Sequence, residues 1–133
     1  MIKNKIIKEL VVDGILKAHL LEEGIIEIIW DSEIDEIEVL HLKEMQRLVG
    51  ILGNKKKMPL LFNTPDFINV SPEAGKFAVT KEGTLFSKAI GVILDNSAKK
   101  LLMNFFVIMN KPTVPTKGFS ERKKAIEWLK HQI

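Results

Sequence analysis

The 133-residue sequence contains no cysteine, which excludes disulfide bonds, thiolate catalysis and cysteine metal ligands. It also lacks an apolar run of the ~20 residues that cross a bilayer. Its longest such run, LLMNFFVIM, has Asn104 inside it, and the N-terminus MIKNKIIKEL alternates Lys with Ile. The N-terminus therefore lacks the apolar core of a secretory signal, and we expect a cytoplasmic protein without a membrane span.

Catalytic and cofactor motifs are also missing. The sequence has no Gly-x-Gly-x-x-Gly, no Walker A motif and no Gly-x-Ser-x-Gly, which hold dinucleotides, phosphates and a nucleophilic serine in other proteins. Its three histidines, His19, His41 and His131, are far apart and belong to no His-Glu-x-x-His pattern. Because a metal site normally takes three or four ligands at defined spacing, we expect no metal, no cofactor and no enzymatic activity.

Positive charge is present but weakly clustered. The net charge is +3, and the clearest basic group is Lys55–Lys57, directly after Gly53-Asn54. Lysines at the end of a helix complement its dipole, whereas a nucleic-acid surface combines a basic stripe with aromatic residues. The cluster favours a structural role, and we expect no nucleic-acid partner.

The order of apolar patterns predicts an α/β fold. Five strand-like runs, ILKAHLL, IIEIIW, MPLLFN, KAIGVILD and VPTKGF, are interleaved with four helical segments. The first two flank the turn EEG and predict an antiparallel hairpin, while strands that alternate with helices predict parallel pairing. We expect one domain over residues 1–133, with a five-stranded mixed sheet, four helices and the Pro-marked VPTKGF as an edge strand.

The helices begin at recognisable capping residues. Asp35, with Glu38 three residues later, predicts the start of the first helix. In Ser71-Pro72-Glu73 the serine is a typical N-cap and proline suits the first helical position. Asn96 and Ser120 predict the starts of the last two helices. Ser71 has a second interpretation as a phosphate acceptor, because negative charge is favourable at a helix N-terminus.

The helix predicted over residues 96–110 is apolar around most of its circumference. Its bulky residues include Met103, Phe105, Phe106 and Met109, and the mean hydropathy of the chain is +0.08. Such a helix needs cover beyond one sheet face. Three interpretations stay open: it belongs to the core, it forms a homodimer face, or it lines a pocket for a small apolar ligand.

The C-terminal half resembles a known group. The stretches SPEAGKFAV, AIGVILDNSAKKLLMNFFVIMNKPTVPTKGF and SERKKAIEWLK resemble the STAS-like anti-sigma-factor antagonists, and more closely the bacterial STAS/CRAL-TRIO-like domains, over residues 16 to 133. The resemblance implies a non-catalytic regulatory or interaction module with a protein partner, or alternatively a carrier or sensor of a lipid-like ligand. The Asp-Ser-Ser-Gly motif of phosphorylated antagonists is replaced by FINVSPEAGKF, in which Ser71 takes the loop-to-helix position.

Overall fold

A computed structural model describes residues 4–65 and 68–133 of the chain. These residues contain eight strands: β1 Ile6–Val12, β2 Leu16–Leu21, β3 Ile26–Trp30, β4 Glu36–Ile37, β5 Met58–Asn63, β6 Asn69–Val70, β7 Ser87–Ile93 and β8 Thr116–Phe119. The four helices are α1 Val39–Leu52, α2 Pro72–Ala78, α3 Ser97–Met109 and α4 Arg122–Lys130. The expected α/β class and the number of helices are confirmed.

The main sheet has six strands in the order β1-β2-β3-β5-β7-β8. β1, β2 and β3 pair antiparallel, and β3, β5, β7 and β8 pair parallel. The predicted hairpin, the parallel part and the β8 edge are confirmed, but the predicted count of five strands is wrong. β1 was missed because its mixture of lysine and isoleucine follows neither a helical nor a strand period, and its pairing with β2 decides its conformation.

The two faces of the sheet are covered differently. One face, which we call the first face, packs against α1 through a large cluster that includes Ile28, Leu60 and Val49. The opposite, second face packs against α4 through a smaller cluster that includes Leu61 and Leu129. β3 lies between the two clusters, and four of its five residues are buried.

The two-residue strands explain where α1 begins. β4 and β6 pair in parallel as a small second sheet, so the backbone of Glu36–Ile37 is extended rather than helical. α1 therefore starts at Val39, with the N–H of Glu38 donating to Nδ1 of His41 at 2.9 Å. The prediction of Asp35 as the cap was wrong because this strand pairing, which is non-local in sequence, competes with the helix.

The end of α2 is set by a side-chain turn. α2 stops at Ala78. The Thr80 hydroxyl donates to the carbonyl of Phe77 at 2.6 Å and accepts the N–H of Gly83 at 3.0 Å, which closes a turn directly after the helix. The start of α4 differs from expectation. α4 has Glu121, not Ser120, at its N-cap position. No helix in the described part of the chain is both long and apolar enough to span a membrane.

Candidate functional site

An open cavity of about 260 Å³ lies at the carboxyl-terminal edge of the parallel strands. Its lining residues follow β7, end β8, or belong to α3 and to the junction between β8 and α4; they are Leu94, Lys100, Asn104, Gly118, Phe119 and Ser120. Because parallel strands deliver their carboxyl ends to one edge, residues distant in sequence meet there. Ligands of open α/β sheets bind outside this same edge.

The lining combines one cationic group with neutral hydrogen-bonding groups and apolar surface. Lys100 and Asn104 are four residues apart on α3, so they lie on the same side of that helix. The hydroxyl of Ser120 adds a third polar group, and Leu94 and Phe119 supply the apolar part. Across residues 4–65 and 68–133, Lys100 makes no ion pair.

Gly118 shapes the wall of the cavity. A Cβ atom at this position would collide with the side chain of Leu94. Only a residue without a side chain therefore allows β8 to approach Leu94 as closely as it does. Gly118 pairs with Val92 of β7, so the cavity is bounded by regular sheet.

The start of α3, which carries Lys100, is held to the end of β7. Oδ1 of Asn96 accepts the N–H of Lys99 at 2.9 Å, which confirms Asn96 as the cap. Nζ of the buried Lys99 donates to Oδ1 of Asp95 at 2.8 Å. This hydrogen bond from the Lys99 ammonium lowers the pKa of Asp95 below its ordinary value. These contacts position the next residue, Lys100, at the cavity.

The apolar side chains of α3 that the structure describes lie apart from this cavity. Leu101 and Met109 are strongly exposed, at 72% and 64% of their full surface, whereas Met103 is half-buried. Met103 and Met109 are not part of the cavity lining. The side chains of Phe105 and Phe106, which were predicted to join this surface, lie outside the described part of the chain.

Ser71 is the N-cap residue of α2. Its hydroxyl oxygen accepts the N–H of Ala74 at 3.0 Å, and the residue is only 2% exposed. Pro72 and Glu73 follow in the first turn, as the sequence indicated. Phosphate transfer to this hydroxyl would require the end of α2 to open first, because the oxygen is buried and already hydrogen-bonded.

Sequence reasoning missed a buried ionic group on the second face. Glu27 of β3 is 4% exposed and accepts hydrogen bonds from Arg122 and Asn63. Beside it, His19 lies opposite Glu27 on β2 and contacts Oε2 of Glu9 through Nε2 at 2.6 Å. A single charged residue inside the isoleucine-rich β3 was the available signal, because a buried carboxylate needs a partner.

The polar groups of the cavity and the buried carboxylate of Glu27 differ in what they leave open to a ligand. Among the described residues, no three His, Cys, Asp or Glu side chains are grouped as metal ligands. The Glu27 carboxylate is occupied by a guanidinium and an amide, so its oxygens are committed to structural hydrogen bonds. By contrast, the polar groups at the cavity point to a surface that a ligand can reach.

Comparison with known proteins gives a family and no activity. No curated protein matches the chain. A solved structure of a protein with unknown function from Arthrobacter sp. FB24 is similar at 20% identity, over 84% of this chain and 96% of that chain, with a TM-score of 0.32. A family model for a domain of unknown function, DUF7793, matches residues 19–133. Neither the solved structure nor this family model carries a STAS or CRAL-TRIO name, so the resemblance to those groups stays a prediction. Because the model matches most of the sequence, the chain belongs to the DUF7793 family.

Proposed function

We propose that this domain is a non-enzymatic, STAS-like interaction and regulatory module of the cytoplasm that pairs with a second copy of itself through α3. The observation that carries the proposal is the exposure of Leu101 and Met109 on this helix. A helix that packs on a sheet normally turns its polar residues outward. Here two large apolar side chains face solvent instead, as is typical of a surface that a partner covers.

The spacing of these residues suits a two-fold contact. Leu101 and Met109 are eight residues apart, which places them about 12 Å apart along the helix axis. If two copies of α3 pack antiparallel, Leu101 of one copy faces Met109 of the other, and the same contact repeats across the axis. A self-complementary contact of this kind closes into a dimer, which is the commonest symmetric assembly.

Sedimentation velocity at micromolar concentration tests the proposal. We expect the unmodified protein to sediment as a dimer, and Leu101→Lys and Met109→Lys each to sediment as a folded monomer, with unchanged circular dichroism. The matched control is Leu40→Lys, because Leu40 is an exposed apolar residue on another helix, 57% exposed. This control should stay dimeric, which separates loss of the contact from a general effect of added charge.

A clean monomer across this concentration range contradicts the dimer. It would favour the second function that the sequence suggested, a carrier or sensor of a small apolar ligand. Native mass spectrometry of protein purified without added ligand then distinguishes the two, because a carrier is expected to retain an adduct of lipid mass. A monomer without any adduct would contradict both the dimer and the carrier, and would favour a module that binds a different protein.

A further inference from the structure

We propose that the cavity lined by Leu94, Lys100, Gly118 and Ser120 binds the carboxylate or phosphate group of a small organic anion. In this site the ammonium of Lys100 binds the anionic group, and Leu94 and Phe119 contact the apolar body of the ligand. This inference goes beyond the proposed dimer, since it assigns a separate binding site with its own ligand chemistry.

The charges around the cavity leave a positive excess at Lys100. Lys99 is paired with Asp95 at 2.8 Å, and Glu121 with Lys124 at 3.4 Å, so these charges largely offset one another. Lys117 lies over the ring of Phe119, with Nζ 5.4 Å from the ring centroid. No carboxylate in the described ranges pairs with Lys100, which leaves its ammonium to bind an anion from solution.

The neutral polar groups fit the same ligand. The hydroxyl of Ser120 and the side-chain amide of Asn104 line the cavity, and both can donate hydrogen bonds to carboxylate or phosphate oxygens. Hydrogen bonds to a charged acceptor are stronger than those between neutral groups. One cation and two neutral donors therefore favour an anionic group over a neutral one.

The size of the cavity limits the ligand. Its volume of about 260 Å³ is below the roughly 300–1,000 Å³ of sites for drug-sized molecules. Leu94 and Phe119 offer apolar contact to a short chain or one ring. The ligand expected is therefore an anionic group on a compact apolar body.

The cavity residue Lys100 and the dimer residue Met109 lie on opposite sides of α3, whereas Leu101 lies about 100° from Lys100. Lys100 and Met109 are nine residues apart, which places them about 180° apart around the helix at 100° per residue. Variants of Lys100 therefore test the cavity without touching Met109. Sedimentation velocity tests the dimer and ligand titration tests the anion site, so each hypothesis can fail without the other.

An amide NMR titration of the whole chain tests the site with four probes. Phenyl phosphate and benzoate carry an anion on a ring, benzyl alcohol is a neutral analogue, and inorganic phosphate lacks the apolar body. We expect saturable shifts of the amide signals of residues 100–104 and 118–121 with phenyl phosphate or benzoate. The probe that binds more tightly shows whether the site prefers a phosphate or a carboxylate group. Inorganic phosphate should bind more weakly, and benzyl alcohol should not saturate.

The decisive variant is Lys100→Gln, which keeps the length and polarity of the side chain but removes the charge. It should weaken binding about tenfold, as expected for one hydrogen bond to a charged group. The matched control is Lys88→Gln, an exposed lysine on β7, which should bind as the unmodified protein does. Absence of saturable shifts at these residues, equal binding by benzyl alcohol, or unchanged binding by Lys100→Gln would each overturn the proposal.

Discussion

The guanidinium of Arg122 donates two hydrogen bonds to the buried carboxylate of Glu27. Nη2 lies 2.7 Å from Oε1 and Nε lies 3.1 Å from Oε2, and Asn63 donates a third hydrogen bond at 3.2 Å. The carboxylate raises the pKa of Arg122 above its ordinary value. The first residue of α4 is thereby joined to β3 in the middle of the sheet, which orients the helix that covers the second face.

Removal of Arg122 is expected to destabilise the fold. Arg122→Ala leaves the Glu27 charge buried with Asn63 as its remaining partner, and we expect the free energy of unfolding to fall by about 3 kcal/mol. Urea denaturation measures this change. The control Lys123→Ala, at the exposed neighbouring position, should stay within about 0.5 kcal/mol. The double variant Glu27→Leu/Arg122→Leu should recover most of the loss. A loss below about 1 kcal/mol in Arg122→Ala would contradict the conclusion that Arg122 stabilises the buried Glu27 carboxylate.

Two neighbouring residues of α4 should differ in their effect on stability. Leu129 is fully buried, and a Cβ added at Gly91 of β7 would lie 3.1 Å from its Cδ1. Leu129→Ala is therefore expected to cost about 2–5 kcal/mol. Trp128 is only partly buried, with its ring centroid 5.7 Å from that of Phe119, so Trp128→Ala should cost less, about 1–2 kcal/mol. Equal costs in denaturation would contradict this packing.

The interaction between Asp95 and Lys99 has a pH signature. The Lys99 ammonium lowers the pKa of Asp95 in the folded state, so the stabilisation is present above the unfolded pKa and is lost as pH falls through the folded pKa. A carboxyl-carbon NMR titration should place the Asp95 pKa below 3.8. Lys99→Met should move that pKa upwards, whereas Lys100→Gln should leave it nearly unchanged. An unchanged Asp95 pKa in Lys99→Met would refute the pairing.

Ser71 is expected to stabilise α2 as a cap. Ser71→Ala removes the acceptor for the N–H of Ala74 and should lower the free energy of unfolding by about 1 kcal/mol. Ser32→Ala, at an exposed serine, is the control and should change little. The second interpretation, a phosphate switch, predicts that phosphorylated protein or Ser71→Asp changes partner binding while Ser71→Ala does not. Equal affinity of all these forms for the partner would exclude the switch.

The local chemistry of the chain was sufficient to predict several elements. Ser71-Pro72-Glu73 marked the start of α2, Asn96 marked that of α3, and Pro115 indicated the edge position of the strand that ends at Phe119. Each signal depends on neighbouring residues: a hydroxyl or amide reaches its own helix, and proline lacks the N–H that a central strand needs. For the same reason the alternation of strand and helix predicted a largely parallel sheet.

The features that needed the tertiary structure are those that join distant residues. β1 becomes a strand only through its pairing with β2, and β4 exists because Glu36–Ile37 meets Asn69–Val70. Arg122 finds Glu27 only once β8 returns the chain to the edge of the sheet.

The sequence by itself determined the α/β class, the four helices and the hairpin, because periodicity and capping act within a few residues. Only the tertiary structure decided the six-stranded order, the ion pair between Glu27 and Arg122, and the cavity where Lys100 meets Ser120. The physical reason is that strand pairing and burial depend on which distant segments share an edge or a face. No local pattern carries that information.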